Sequence, residues 1–235
     1  MSNQVRISAH AGHSPSAENR TIQAYRQAAA TNADLVETDI RRTADGEHVA
    51  FHDPRTSQGH LLSTVEYAQL CYLAGYEVPK IADVLATIKG RAKGHLDLKE
   101  TGDEAELVRL ALDILGPGEF VITSAEDASV AAIRARFPDA EQVPVALSLG
   151  RGMRPLPRVR ACGADWAALN HRIALAGVAR QCRRHQVKVM VWTVNNEREI
   201  QYWLSHRRTD VLITDRPALA VAIRDQTASG DPRSR

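Results

Sequence analysis

Glu37 and Asp39 stand two apart in Leu35-Val-Glu-Thr-Asp-Ile40, so a strand there turns both carboxylates to the same side. Such a pair among apolar neighbours is costly by several kcal/mol unless a cation neutralises it. Three other apolar runs end in groups able to do chemistry. Ile7-Ser-Ala-His10 ends in His10, and Val49-Ala-Phe-His-Asp53 ends in His52 and is stopped by Asp53-Pro54. Gly94-His-Leu-Asp-Leu-Lys99 alternates, with Leu96 and Leu98 on one face and His95, Asp97 and Lys99 on the other. Each has an ordinary explanation. A strand-end histidine is often structural, a lone aspartate often caps a turn, and Asp97 with Lys99 is compatible with a buried ion pair.

The elements that must position these groups follow from periodicity. Val5–Ser8 reads as a first strand, and 21–31 as a helix with Tyr25, Ala29 and Ile22 inward, closed by Asn32. Leu35–Ile40 is a second strand, joined to His48–His52 by a hairpin turn at Thr43-Ala-Asp45-Gly46. Thr64 is read as the N-cap of a helix over 65–73, and Ile81–Ile88 as the next helix. The strand ending at Lys99 is followed by a helix over 103–115, and strands and helices then alternate. Strands are expected at 120–123, 143–147, 166–169, 187–192 and 211–214. Helices are expected at 128–137, near 159–162, and at 175–185, 197–205 and 217–224; residues 150–158 read as a loop. Residues 225–235 are polar and read as a disordered tail. About eight strand–helix alternations with no linker predict one domain over 1–224, a (β/α)8 TIM barrel of the α/β class. An open doubly wound sheet is the alternative, but no glycine fingerprint follows a strand, so its dinucleotide-binding version has no support.

Bulk composition bounds the function. The chain has 235 residues, 44% hydrophobic and 25% charged, enough for a large core. A net charge of +2 without a basic, aromatic-interleaved stripe argues against nucleic acid. Cys71, Cys162 and Cys182 form no CxxC pair, so neither a disulfide framework nor a zinc knuckle is expected. The first residues have no apolar leader and no run approaches spanning length, so the expected location is cytoplasmic, without membrane insertion. Oligomeric state is left open.

In a barrel, chemistry gathers at the carboxyl ends of the strands. That rule brings His10, Glu37, Asp39, His52, Asp97, Lys99 and Trp192 to one rim. Three carboxylates and no thiolate suit one hard divalent cation, Mg²⁺ or Ca²⁺. Two histidines beside it suit proton transfer into and out of a phosphodiester, and a lysine suits holding a phosphate oxygen.

These segments resemble the glycerophosphodiester phosphodiesterase family of metal-dependent TIM barrels. Its His-Arg-Gly corresponds to His10-Ala-Gly12, its Pro-Glu-Asn-Thr to Ala17-Glu-Asn-Arg20, and its Glu-x-Asp to Glu37-Thr-Asp39. Thr43-Ala-Asp-Gly46, His52-Asp53, Leu96-Asp-Leu-Lys99, Val121-Ile-Thr-Ser124, Val191-Trp-Thr-Val-Asn195 and Ile213-Thr-Asp-Arg-Pro217 follow in the family's order. The resemblance implies Glu37, Asp39 and Asp97 as metal ligands and His10 and His52 as the acid–base pair. It implies Lys99 as a phosphate contact, Trp192 as a pocket wall, and Glu18 and Asn19 as shapers of the first loop. It implies a small-molecule phosphodiester as substrate. Three departures stand out: Ala11 replaces the arginine, Asp97 replaces a glutamate, and one residue is added after Asn19. Loss of the arginine removes a phosphate clamp, for which Arg151 and Arg154 on the same rim, or Arg20 and His13 in the first loop, are candidate replacements. A specialised phosphodiester-binding barrel, or a lyase-like relative that stops at a cyclic phosphate, are the alternative expectations.

Overall fold

The computed structural model describes residues 4–10, 21–150, 155–206 and 208–228. The described residues form nine strands: β1 (Arg6–Ala9), β2 (Leu35–Arg42), β3 (His48–Ala50), β4 (Lys93–Leu98), β5 (Phe120–Ser124), β6 (Val145–Leu149), β7 (Trp166–Asn170), β8 (Lys188–Trp192) and β9 (Val211–Thr214). All but β3 pair in parallel, and β1 pairs with both β2 and β9, which closes the sheet into an eight-stranded barrel. The helices pack outside it, as a (β/α)8 fold requires. Strand β3 is the exception: it folds back antiparallel on β2, with Arg42 opposite His48 and Ile40 opposite Ala50. Gly46, at φ 89°, supplies the left-handed residue of the connecting turn.

Two apolar layers result from the period of the strands. Leu35, Val121, Ala146, Trp166, Ala168, Met190, Val211 and Ile213 fill the barrel interior. The alternate residues, such as Val36, Leu96, Ile122, Leu147, Ala167 and Val189, face the helices. Helix α1 (Ile22–Ala29) also grips the outer side of β2 by a buried hydrogen bond, Tyr25 Oη to Thr38 Oγ1 at 2.8 Å. Thr38 lies between Glu37 and Asp39, so that bond holds the strand whose other face carries both carboxylates.

The amino ends of three strands share one device. Asp34, Asp165 and Asp210 each immediately precede a strand, and their Oδ2 atoms accept the amides of Ile7, Val145 and Val189 at 2.7, 3.1 and 2.8 Å. The same three carboxylates are paired with Arg224, Arg134 and Arg183 from the helices α10 (Pro217–Ala228), α5 (Asp127–Arg136) and α8 (Ala179–Arg184). Each arginine thus clamps a helix to the floor of the barrel.

Several boundaries differ from those expected. The helix after the hairpin runs Tyr67–Ala74 (α2), and Thr64 is not its cap. Thr64 belongs to a 3₁₀ turn and donates to Leu61 O; Asp45, from the hairpin turn, accepts the Tyr67 amide at 3.0 Å instead. The segment 150–158 is not all loop, since α6 spans Pro155–Ala161, with proline at its first position where no amide is needed. The single helix expected over 175–185 is broken: α7 (His171–Ile173) and α8 are separated by a wider turn in which Gly177 takes φ 93°. The last helix extends to Ala228, four residues past the expected end.

Candidate active site

The interior face of the strands changes from apolar to polar toward their carboxyl ends. There a cavity of about 320 Å³ is lined by His10, Glu37, Asp39, His52, Asp97, Lys99 and Trp192, together with His95, Thr123 and Ser148. The parallel register sets Asp39 directly beside Asp97 and Glu37 beside His95. Glu37, Asp39 and Asp97 can each bring one carboxylate oxygen within 4.8 Å of the others. Glu37 and Asp39 are 3% and 1% exposed, so their charges are balanced inside the protein rather than by water. Lys99 supplies part of that balance, its Nζ lying 2.9 Å from Asp39 Oδ1 and hydrogen-bonded to Asp97 Oδ2. Burial alone would lower the lysine pKa, but Asp97 and Asp39 outweigh it and raise it above the usual lysine range. Lys99 is therefore a fixed cation.

Charge counting shows what the cluster accepts. With His10 offset by Asp215, three carboxylates less one ammonium leave two negative charges, matching one divalent cation. The donors are all oxygens and their mutual spacing is that of ligands around a single ion, so a hard divalent metal fits.

His10 directly follows β1 and reaches across the closure of the barrel to Asp215, just beyond β9, with Nδ1 2.6 Å from Oδ1. Asn195 fixes that aspartate: its side-chain nitrogen donates to Asp215 Oδ2 at 2.5 Å, and its Oδ1 accepts the Asp215 amide at 2.9 Å. Burial pulls the His10 pKa down, but the Asp215 hydrogen bond and the charges of Glu37, Asp215 and Asp39 prevail and raise it to about 9. At neutral pH His10 is an imidazolium. His52 lines the same cavity, its side chain 54% exposed, with Nδ1 2.8 Å from Asp53 Oδ1. Arg41 Nε donates to the His52 carbonyl at 2.8 Å and so secures the end of the hairpin.

Beneath the carboxylates lies a relay that sequence reasoning did not assign. Thr123 Oγ1 donates to Asp97 Oδ1, which uses its only proton, so it must accept from His95 Nε2 at 3.2 Å. The other ring nitrogen, Nδ1, then accepts from Ser8 Oγ at 3.0 Å. Complete burial, followed by the positive charges of His10 and Lys99, drives the His95 pKa down to about 3, consistent with this neutral tautomer. Asp97 is thereby held on one oxygen by Thr123 and on the other by Lys99. The alternation of the β4 sequence already placed His95 on this face; its partners on β1 and β5 were not readable locally. Asp215 was missed for the same reason, being 205 residues from His10.

Trp192 closes one side, with Nε1 donating to Ala168 O at 3.1 Å and its ring against Gly150, where a β-carbon would come within 3.3 Å. Glu18, Asn19, Arg151, Arg154 and the Ala11 position lie outside the described residues. Cys71, Cys162 and Cys182 are free thiols, Cys162 and Cys182 buried. Among the described residues, no helix is long and apolar enough to cross a membrane.

Comparison with known proteins agrees with this geometry. YhdW of Bacillus subtilis (strain 168), which carries the name of a glycerophosphodiester phosphodiesterase, is 23% identical over 90% of this chain and 94% of its own. The fold matches the crystal structure of a glycerophosphodiester phosphodiesterase from Parabacteroides distasonis with a TM-score of 0.80 at 17% identity, over 96% of this chain and 98% of that one. An Oleispira antarctica phosphodiesterase, solved with its product sn-glycerol-3-phosphate, matches with a TM-score of 0.77 at 19% identity, over 94% and 97% of the two chains. The sequence pattern of the glycerophosphoryl diester phosphodiesterase family spans residues 10–219. The chain belongs to that family, and so to the phosphoric diester hydrolases.

Proposed function

We propose that this protein is a divalent-metal-dependent phosphodiesterase that converts a small glycerophosphodiester-like molecule to a phosphomonoester and an alcohol. The observation that carries the proposal is the sharing of one rim cavity by Glu37, Asp39 and Asp97 with two histidines and Lys99. Glu37, Asp39 and Asp97 would hold one Mg²⁺ or Ca²⁺, which when bound supplies positive charge to a phosphate oxygen as negative charge builds there. Lys99, already fixed beside Asp39 and Asp97, offers its remaining N–H to the same phosphate.

The two histidines differ in environment, and the difference supports separate roles for them. His10, held as imidazolium by Asp215, gives its proton to the departing alkoxide as the P–O bond breaks. His52, open to the cavity mouth, accepts the proton of the attacking hydroxyl as the new O–P bond forms. Where the attacker is a hydroxyl on the carbon next to the phosphorylated one, the product of this step is a cyclic phosphate. Neutral His10 then takes a proton from water and His52 returns one to the ring oxygen, regenerating both groups. Asp215 orients His10 and keeps it charged between turnovers. Support for a glycerol-based substrate comes from the product named in the Oleispira antarctica complex.

The test is ³¹P NMR of a panel of glycerophosphodiesters incubated with the protein, with and without chelator. Growth of a phosphomonoester resonance, abolished by chelator and restored by Mg²⁺ or Ca²⁺, is expected. Accumulation of the cyclic phosphate alone would make the enzyme a lyase. No turnover of any diester in the panel would contradict the reading.

A further inference from the structure

Among the described residues, one other group of side chains outside the rim cavity has the composition of a metal site. His48, the first residue of β3, faces Asp103 and Glu106 at the start of α4 (Glu104–Ile114). One potential ligand atom from each lies within 4.8 Å of the other two. Acids at this position have an ordinary use, since Asp103 and Glu106 complement the positive end of the helix. The histidine does not fit that explanation. Its side chain is only 9% exposed, and Nε2 is buried with no hydrogen bond. Asp103 Oδ2 is 3.7 Å from Nε2, beyond hydrogen-bond range, and Glu106 Oε1 is 3.9 Å from Nδ1. A buried ring nitrogen is thus aimed at a carboxylate it does not touch.

We propose that His48, Asp103 and Glu106 form a second divalent-cation site, chemically distinct from the rim. One imidazole nitrogen with two carboxylate oxygens suits a borderline first-row ion such as Zn²⁺, whereas the all-oxygen rim set suits a hard ion. Ligand atoms around tetrahedral Zn²⁺ stand about 3.4 Å apart, so Nε2 and Asp103 Oδ2 need to close by only a few tenths of an ångström. Glu106, 69% exposed and in the first turn of the helix, can swing to complete the set, with water in the remaining position. Arg42 Nη1 donates to Asp103 Oδ1 at 2.6 Å, leaving Oδ2 for the ion and holding the carboxylate in orientation. Such an ion would pin β3 to α4. Since β3 leads directly into His52, the site braces the segment that carries a proposed catalytic histidine.

The test uses the full chain, stripped of metal by chelator and exchanged into chelator-free buffer, with Zn²⁺ itself as the probe. Asp39→Asn is introduced first so that the rim does not dominate binding. Calorimetric titration of that variant is expected to show one Zn²⁺ site and a rise in Tm on loading. Adding Glu106→Gln, a surface change that leaves the core intact, is expected to weaken that affinity at least about tenfold and to remove the rise in Tm. His48→Gln in the same background is expected to do the same, and Mg²⁺ to substitute poorly. Absence of Zn²⁺ binding by Asp39→Asn, or equal affinity with and without Glu106→Gln, overturns the proposal. Neither outcome depends on whether the rim hydrolyses a phosphodiester.

Discussion

At the amino ends of the strands Asp34, Asp165 and Asp210 each have an arginine of their own, whereas at the carboxyl ends Asp39 and Asp97 share one lysine, and Glu37 clusters with them near the charged His10. The floor acids also accept a backbone amide from the neighbouring strand, so their lone pairs and charges are satisfied within the fold. The rim acids are left with an excess of negative charge in a cavity that opens to solvent. One end of the barrel is built to be complete and the other to be completed by something that binds. Stability and activity should therefore separate by position along the same strands.

The largest effect is expected from the rim. Asp39→Asn should reduce turnover to background while leaving the metal-free Tm unchanged or raised, because it relieves repulsion among three close carboxylates. Activity assays and thermal melts on one preparation check both halves. Next come His10→Ala and His52→Ala, each expected to cost roughly 10²–10⁴ in turnover with the barrel intact. Near wild-type turnover by either variant would make that histidine structural. A diester with a very good leaving group should recover activity in His10→Ala more than in His52→Ala, since His10 is the proposed acid.

The floor should show the converse. Asp210→Ala removes the partner of Arg183 and the acceptor of the Val189 amide, and should cost about 1–3 kcal/mol of stability. Turnover of the folded fraction should be unchanged, as read by denaturant unfolding alongside assay. A loss of turnover without loss of stability would break the division between the two ends.

The reach of sequence reasoning follows the same division between local and distant. Glu37, Asp39, Asp97 and Lys99 were legible because period-two alternation on one strand decides which side chains share a face. The hairpin at Thr43–Gly46 was legible from its Asp-Gly turn. Asp215, Asn195, Thr123 and Ser8 were not assigned to the site, because their importance comes from which strands become neighbours when the barrel closes. The start of α2 was misplaced for a related reason: Asp45, from a turn 22 residues earlier, occupies the capping role that Thr64 was expected to fill. Likewise the break at Gly177 follows from a wide turn that the apolar period of 175–185 does not reveal.

Smaller effects sharpen the picture of His10. Its folded pKa of about 9 lies above the ordinary 6.5, so it contributes stability fully present below about pH 6.5 and lost as pH rises through about 9. Asp215→Asn removes the hydrogen-bonded carboxylate and should bring the His10 pKa down and flatten that dependence. Histidine-resolved NMR titration of the metal-free protein reads it directly. An unmoved pKa would show that Glu37 and Asp39 alone sustain it. The smallest effect concerns Arg151 and Arg154, proposed to replace the clamp missing at Ala11. Alanine at whichever contacts phosphate should raise KM or lower turnover by an amount equivalent to about 1.5–3 kcal/mol. If neither substitution alters kinetics, the clamp missing at Ala11 is not replaced from that loop.

Everything proposed for the rim requires that its carboxylates hold a divalent cation on which hydrolysis depends. The most direct measurement is calorimetric titration of chelator-stripped protein with Mg²⁺ and with Ca²⁺, followed by assay of the same samples on a glycerophosphodiester. One of these ions should bind at a single rim site, activity should rise in step with its occupancy, and Asp39→Asn should lose both together. Full activity in stripped protein, or binding that Asp39→Asn leaves untouched, would contradict it.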